Sequence, residues 1–197
     1  MMDRRALMGL TGSFIALAAM RGPTMAASLS VIDDFSLASF SATNGSKWQF
    51  VTDSVMGGVS NGSMIRETVS GRPALRMKGA VSLENNGGFI QVALDLSPDG
   101  SAINASAYTG IEIDVLGNGE AYSLHLRTDD LNRPWQSYRQ SFEAKREWNT
   151  IRLPFSDFKA YRTSAILDLT KLRRIGVVAI GRVFKADLAI GSVRLYD

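Results

Sequence analysis

The chain's one histidine, His125, sits in the alternating run Tyr122-Ser123-Leu124-His125-Leu126-Arg127. A single histidine cannot supply a His-pair metal site. A Ser-His-Asp triad would have to use it, and no Gly-x-Ser-x-Gly elbow accompanies it. Its alternation with Ser123 and Arg127 places it on the polar face of a strand, toward solvent. The absence of cysteine removes thiolate zinc sites, cysteine nucleophiles and disulfides together. Gly117-Asn118-Gly119 begins like a dinucleotide fingerprint, but Tyr122 stands where the third glycine belongs and no helix follows, so it reads as a hairpin turn. The acidic pairs Asp33-Asp34 and Asp129-Asp130 could serve a glycosidase or hold calcium. Neither shows an EF-hand pattern, and solvated loops are the favoured reading. No catalytic residue, metal ligand or cofactor is expected. A hydrolase using Asp53 or Glu84 is the residual enzymatic alternative.

Two polar segments centred on paired glycines are more distinctive. They are Asp53-Ser54-Val55-Met56-Gly57-Gly58-Val59-Ser60 and Glu84-Asn85-Asn86-Gly87-Gly88-Phe89. Paired glycines permit positive φ or the close approach of another backbone, and Asp and Asn side chains can cap the freed amides. The segments are expected to pack against each other near one edge of the fold. They form either a structural lock or a recognition surface, and the lock is the favoured reading. The residues assigned to this element are Asp53, Met56, Gly57, Gly58, Asn85, Asn86, Gly87 and Gly88. A second candidate surface is aromatic and polar: Arg127 with Trp135 and Tyr138, where rings could stack on a sugar or peptide while Arg hydrogen-bonds it. Semi-buried strand residues are the plainer alternative for Trp135 and Tyr138.

The elements that must position these residues are strands. Period-two alternation runs through Ala74–Leu83, Phe89–Leu96, Ile111–Val115, Tyr122–Arg127, Trp135–Phe142 and Trp148–Leu153, and Ile175–Ile180 is a continuous apolar run. Gly79 reads as a bulge in its strand. Asn44-Gly45, Asn61-Gly62, Asp99-Gly100 and Asn118-Gly119 read as turns. Helix signals are confined to one or two turns at Asp168–Arg174 and near Ser156-Asp157-Phe158. Eight to ten short strands with many glycine turns predict an all-β fold, a jelly-roll β-sandwich, as one domain over residues 28–197.

Residues 1–26 have the order of a signal peptide: a basic start at Arg4-Arg5, an interrupted apolar run over Leu7–Met20, and small residues before Ala26. Asp3-Arg4-Arg5-Ala6-Leu7-Met8 resembles the twin-arginine export signal. A periplasmic or otherwise exported domain is the expectation. The apolar run is too short for a membrane span of about 20 residues, and the mature domain is not expected to span a membrane. The whole chain carries 22 basic and 19 acidic residues. Arg4, Arg5, Arg21 and Asp3 belong to the leader, so the rest is close to neutral. A broad electrostatic footprint for nucleic acid is not supported.

Asp53 to Ser60, with Trp48 before it, resembles the signature of the complex I intermediate-associated protein 30 family. Gly79-Ala80-Val81-Ser82-Leu83-Glu84-Asn85-Asn86-Gly87-Gly88-Phe89 is similar to its second block. Ile32-Asp33-Asp34-Phe35, Gly110-Ile111, Tyr122–Arg127 and Trp148-Asn149-Thr150-Ile151-Arg152-Leu153-Pro154-Phe155 with Phe158 extend the similarity over the mature domain. The resemblance implies a galactose-binding-domain-like β-sandwich. It also implies a non-catalytic, chaperone-like module that binds a protein client or a membrane-protein assembly intermediate, as mitochondrial members do for NADH:ubiquinone oxidoreductase. No catalytic residues carry over. The N-terminus departs from the family, with an export signal in place of a transit peptide. That location faces away from the matrix-like arm of complex I. It leaves open the assembly of envelope proteins or, alternatively, carbohydrate binding in the envelope.

Overall fold

The computed structural model describes residues 31–197. The candidate leader, residues 1–26, lies outside them. Twelve strands follow in order: β1 (Val31–Asp33), β2 (Gln49–Thr52), β3 (Asn61–Val69), β4 (Arg72–Val81), β5 (Phe89–Asp95), β6 (Gly110–Leu116), β7 (Glu120–Thr128), β8 (Ser137–Ala144), β9 (Asn149–Pro154), β10 (Lys159–Tyr161), β11 (Leu172–Ile180) and β12 (Phe184–Tyr196). They make two six-stranded sheets. The first runs β3-β4-β12-β6-β9, with β1 also on β12; the second runs β10-β8-β7-β11-β5-β2. Every pairing is antiparallel.

The alternation builds the core directly. Ile111, Ile113 and Val115 of β6, Leu124 and Leu126 of β7, Ile90, Val92 and Leu94 of β5, and Ile175 and Val177 of β11 point between the sheets and are buried. On β12 the buried set changes parity, from Leu188 and Ile190 to Val193 and Leu195. A register shift between Ile190 and Ser192 explains it: one extra residue at Gly191 returns the following side chains to the core. This is the expected jelly-roll β-sandwich.

Several local expectations change. Gly79 is no bulge. It pairs in register with Gly62 on β3 and Ala186 on β12, and a side chain there would overlap the Asn61 carbonyl across the ladder. Asn61-Gly62 is correspondingly the start of β3 and not a turn. Asn118-Gly119 does turn the chain, with Gly119 at φ +82°, but it carries β6 of the first sheet to β7 of the second. It is a corner between sheets, not a hairpin. The helix signals reduce to 3-10 turns at Leu169–Lys171 and Phe155–Asp157. The strand in the Trp135 region begins only at Ser137. Strands β1 and β10, three residues each, are too short to show a period.

Candidate functional site

The two glycine segments are both crossings between the sheets. Residues 53–60 carry β2 of the second sheet to β3 of the first, and residues 82–88 carry β4 back to β5. Because β3 pairs with β4 and β2 with β5, the crossings lie side by side. Asp53 joins them. Its side chain is fully buried and accepts from Ser60 N at 3.0 Å, Ser60 Oγ at 2.5 Å, Gly88 N at 2.6 Å and Phe89 N at 3.2 Å. Burial alone would raise its carboxyl pKa. The bonds from Ser60, Gly88 and Phe89 outweigh that and hold it below the ordinary value.

The neighbouring residues are dictated by this carboxylate. A Cβ at Gly58 would overlap the Asp53 carboxyl, and one at Gly87 would sit 2.5 Å from Oδ2. Asn85 and Asn86 hold φ of 54° and 58°, a left-handed conformation that asparagine tolerates better than most residues. Ser60 Oγ also receives Ser82 N at 2.9 Å, tying the second crossing again. On its inward side the corner ties the two crossings together through the Asp53 carboxylate, with Gly58, Gly87 and Gly88 packed close around it. The outward side is different. Val55 is 74% and Met56 57% exposed, with Val59 and Leu83 exposed beside the Ser60–Ser82 link. Glu84 is exposed, whereas Asp53 is enclosed.

A second buried carboxylate escaped the sequence reading. Asp33 does not lie in a solvated loop but is fully buried. Its Oδ2 receives Trp48 Nε1 at 2.7 Å and Arg66 Nη2 at 3.0 Å, and its Oδ1 receives Phe35 N at 2.9 Å. Ile32 before it and Phe35 after it, both apolar, were the available signal. Asp34, by contrast, is exposed, its pKa lowered to about 2 by Ser36 and Thr43.

The aromatic and polar surface is rearranged. Tyr138 falls on the inner face of β8, is 1% exposed, and its hydroxyl donates to the loop carbonyls of Ala165 and Ile166. It is a core residue, because its parity matches Phe142 and Leu126 across the ladder. Arg127 does lie on the outer face, but its guanidinium is engaged: it donates to the carbonyls of Leu131, Arg133, Pro134 and Gln136. It shapes the loop that carries Trp135, which is 47% exposed. Burial, with Arg173 and Arg174 nearby, lowers its pKa.

The outer face of the second sheet follows from the register. Lys159, Arg139, His125, Gly176, Ala93 and Gln49 form one row across it. Tyr161, Ser137 and Arg127 flank that row on one side, and Ser141, Ser123, Val178 and Gln91 on the other. Gly176, Ala93, Ser123 and Ser137 are a floor of small buried residues. His125 is on this polar face as expected, but it is half-buried. Burial and the adjacent Arg139 lower its pKa to about 3, and Nε2 has no hydrogen-bond partner. Among the described residues no group of three or more His, Asp or Glu side chains is placed to hold a metal ion.

The architecture is a two-sheet jelly roll whose corner carboxylate is satisfied from within the chain, with an open polar face on the second sheet. The structure resembles a family 11 carbohydrate-binding module from Clostridium thermocellum, solved with a β-1,3-1,4-mixed-linked tetrasaccharide. The TM-score is 0.65 at 17% identity, over 85% of this chain and 94% of that one. A family 30 carbohydrate-binding module of the same organism's cellulosomal cellulase gives 0.51 at 14%, over 71% and 91%. At these identities the likeness establishes the fold. The sequence defines the family: the profile of complex I intermediate-associated protein 30 matches residues 37–194, and the chain belongs to that family. No curated protein sequence matches it.

Proposed function

We propose that this chain is a non-catalytic, assembly-factor-like module that holds another protein through the corner formed by its two crossings. The observation that carries the reading is the corner's two-sidedness. Asp53 fixes the backbone from within, while Val55, Met56, Val59 and Leu83 stand exposed on it. Exposed apolar clusters on soluble domains mark interaction surfaces, and methionine adapts to varied partners. Rigid backbone lowers the entropy lost on binding. The family relationship supports a protein client.

The proposal takes the chain to be exported, as Arg4-Arg5 and the following apolar run lead us to expect. Cell fractionation of the wild type against an Arg4→Lys, Arg5→Lys variant tests this. Among the described residues no helix is long and apolar enough to cross a membrane. Pull-down from envelope extracts tests the client reading. We expect a membrane complex or unfolded client to co-purify, and Met56→Asp to abolish capture with melting unchanged. Equal capture by Met56→Asp would refute the corner as the contact.

A second reading, carbohydrate binding, is favoured by a separate observation: the open outer face of the second sheet, with its small-residue floor, polar rims and the exposed Trp135 at its end. The galactose-binding-like fold supports it, though fold alone is a weak guide to function.

A further inference from the structure

The charges on the outer face of the second sheet are divided unevenly. On the β11-β5-β2 half, Arg174 is neutralised by Asp95 at 3.3 Å and also donates to Gln49 at 2.8 Å. On the β10-β8-β7 half, Arg139 and Lys159 face each other in register, Arg162 follows directly, and none of the three has a carboxylate partner among the described residues. Of the acidic residues in the adjoining loops, Asp157 accepts from Ser156 Oγ at 3.0 Å and pairs with no cation among the described residues, and the others face cations outside the trio. Asp129 faces Arg173, and Asp130 and Asp168 hold Lys171. Glu143 shares the outer face but lies four residues along β8 from Arg139, roughly 13 Å at strand rise.

Arg139 is also held in place. Its Nε donates to Ser137 Oγ at 2.8 Å, and its guanidinium lies 3.4 Å from the centroid of the Tyr161 ring. Arg162 approaches the same ring at 5.3 Å. Gln136, next to Trp135, donates to the Arg162 carbonyl at 3.2 Å, so the exposed Trp135 lies at the same end of the face. A positioned, half-desolvated cation without a counter-charge costs stability, and such departures from local self-consistency collect at functional sites. On the first sheet's outer face Arg76, Lys78, Arg152 and Arg194 sit against Glu or Asp, while Arg72 at the start of β4 lies over the Trp148 ring.

We propose that the β10-β8-β7 half of this face binds an anionic oligosaccharide, one bearing carboxylates on its sugar rings. The inference rests on the carbohydrate reading above and narrows it to a ligand class. Arg139, Lys159 and Arg162 meet the carboxylates, and the aromatic end of the face, with Trp135, offers a stacking surface for the sugar rings. Neutral glucans leave the three cations uncompensated and bind more weakly.

Titration calorimetry of the full chain with hexagalacturonate tests it, alongside a mixed-linked β-1,3-1,4-glucan tetrasaccharide and hexaglutamate. We expect hexagalacturonate to bind, to weaken at least about 5-fold between 50 and 300 mM salt, and to weaken about 10-fold or more in Arg139→Gln. Replacing the exposed Lys159, Lys159→Gln, is expected to weaken it about 3-fold with melting unchanged. Equal or tighter binding of the neutral tetrasaccharide would overturn the anionic class while keeping a glycan site. Equal binding of hexaglutamate would show generic charge attraction and overturn the sugar. Binding of none of the three overturns both this inference and the carbohydrate reading.

Discussion

The corner around Asp53 and the face around Arg139 treat a buried or half-buried charge in opposite ways. At the corner, four donors converge on one carboxylate. At the face, a positioned guanidinium meets a ring and a hydroxyl but no anion. The carboxylate's charge is met entirely within the chain, whereas the guanidinium has no counter-ion among the described residues. The same corner turns its apolar side outward, so one segment can be lock and surface at once, on opposite sides of the backbone.

The strongest way to break this comparison is at Asp53. Asp53→Ala leaves Ser60 N, Gly88 N and Phe89 N without an acceptor in the interior, and each such orphan costs about 1–3 kcal/mol. We expect a loss of roughly 4 kcal/mol by urea melting, and a melting temperature lower by about 10 °C. Gly58→Ala pushes a methyl into the same carboxyl and should cost about 2–3 kcal/mol. A loss under about 1 kcal/mol for both would mean the corner is not a lock, and the glycines would then have to be explained by a partner.

Glu112 gives the smaller version of the same test. It is buried between Arg152 and Arg194 on the first sheet's outer face. Burial would raise its pKa, and the two arginines outweigh this and lower it. Glu112→Gln should cost about 1 kcal/mol, because both arginines are largely open to water and screened. The same melts check it, and the cost should shrink in high salt.

How much of this was legible beforehand depends on range. Alternation along β5, β6, β7 and β11 reports which side of a strand meets the core, so the sandwich could be read from local pattern. Motif similarity reached the paired crossings, yet no local rule says that Asp53 bonds to amides 35 and 36 residues away. Tyr138 shows the limit most plainly. Alternation puts it on one face of its strand with Phe142, but which face of β8 is inside depends on pairing with β7. Asp33 was missed because a buried acid is illegible until Trp48 and Arg66 arrive from distant segments. The unbalanced charge on the outer face needed the register of six strands before it existed as a pattern.

His125 sharpens the contrast through pH. Its folded pKa is about 3, below the ordinary 6.5, because burial and Arg139 disfavour its protonated form. The unfolded chain therefore binds the extra proton first. The stability is fully present above pH 6.5 and is lost as pH falls toward 3. His125 is the chain's one histidine, so the stretch between pH 6.5 and about 4.5 belongs to it; the carboxylates act lower. Urea midpoints at pH 7, 5.5 and 4.5 should fall with acid in the wild type and stay nearly level in His125→Asn. An equally steep fall in the variant would place the acid sensitivity elsewhere.

The smallest expected change is the most telling. Arg139→Met keeps an unbranched, though shorter, apolar stem beside Tyr161 and removes a half-buried charge that no carboxylate balances. If Arg139 is held for a ligand, its loss should cost the free fold almost nothing: within about 0.5 kcal/mol, or slightly stabilising, since replacing a poorly compensated charge by an apolar group is often favourable. The Ser137 hydroxyl left behind is small, and its freed oxygen can rotate toward the open side of the sheet. His125 is also relieved of a neighbouring positive charge, so its pKa should rise toward 6.5 in the variant, visible as a shifted imidazole titration by NMR. A loss above about 1.5 kcal/mol would put Arg139 in the same class as Asp53 and dissolve the difference between corner and face. A neutral melt with a shifted His125 titration would leave that difference standing, with the cost of an unpaired cation measured in the absence of any ligand.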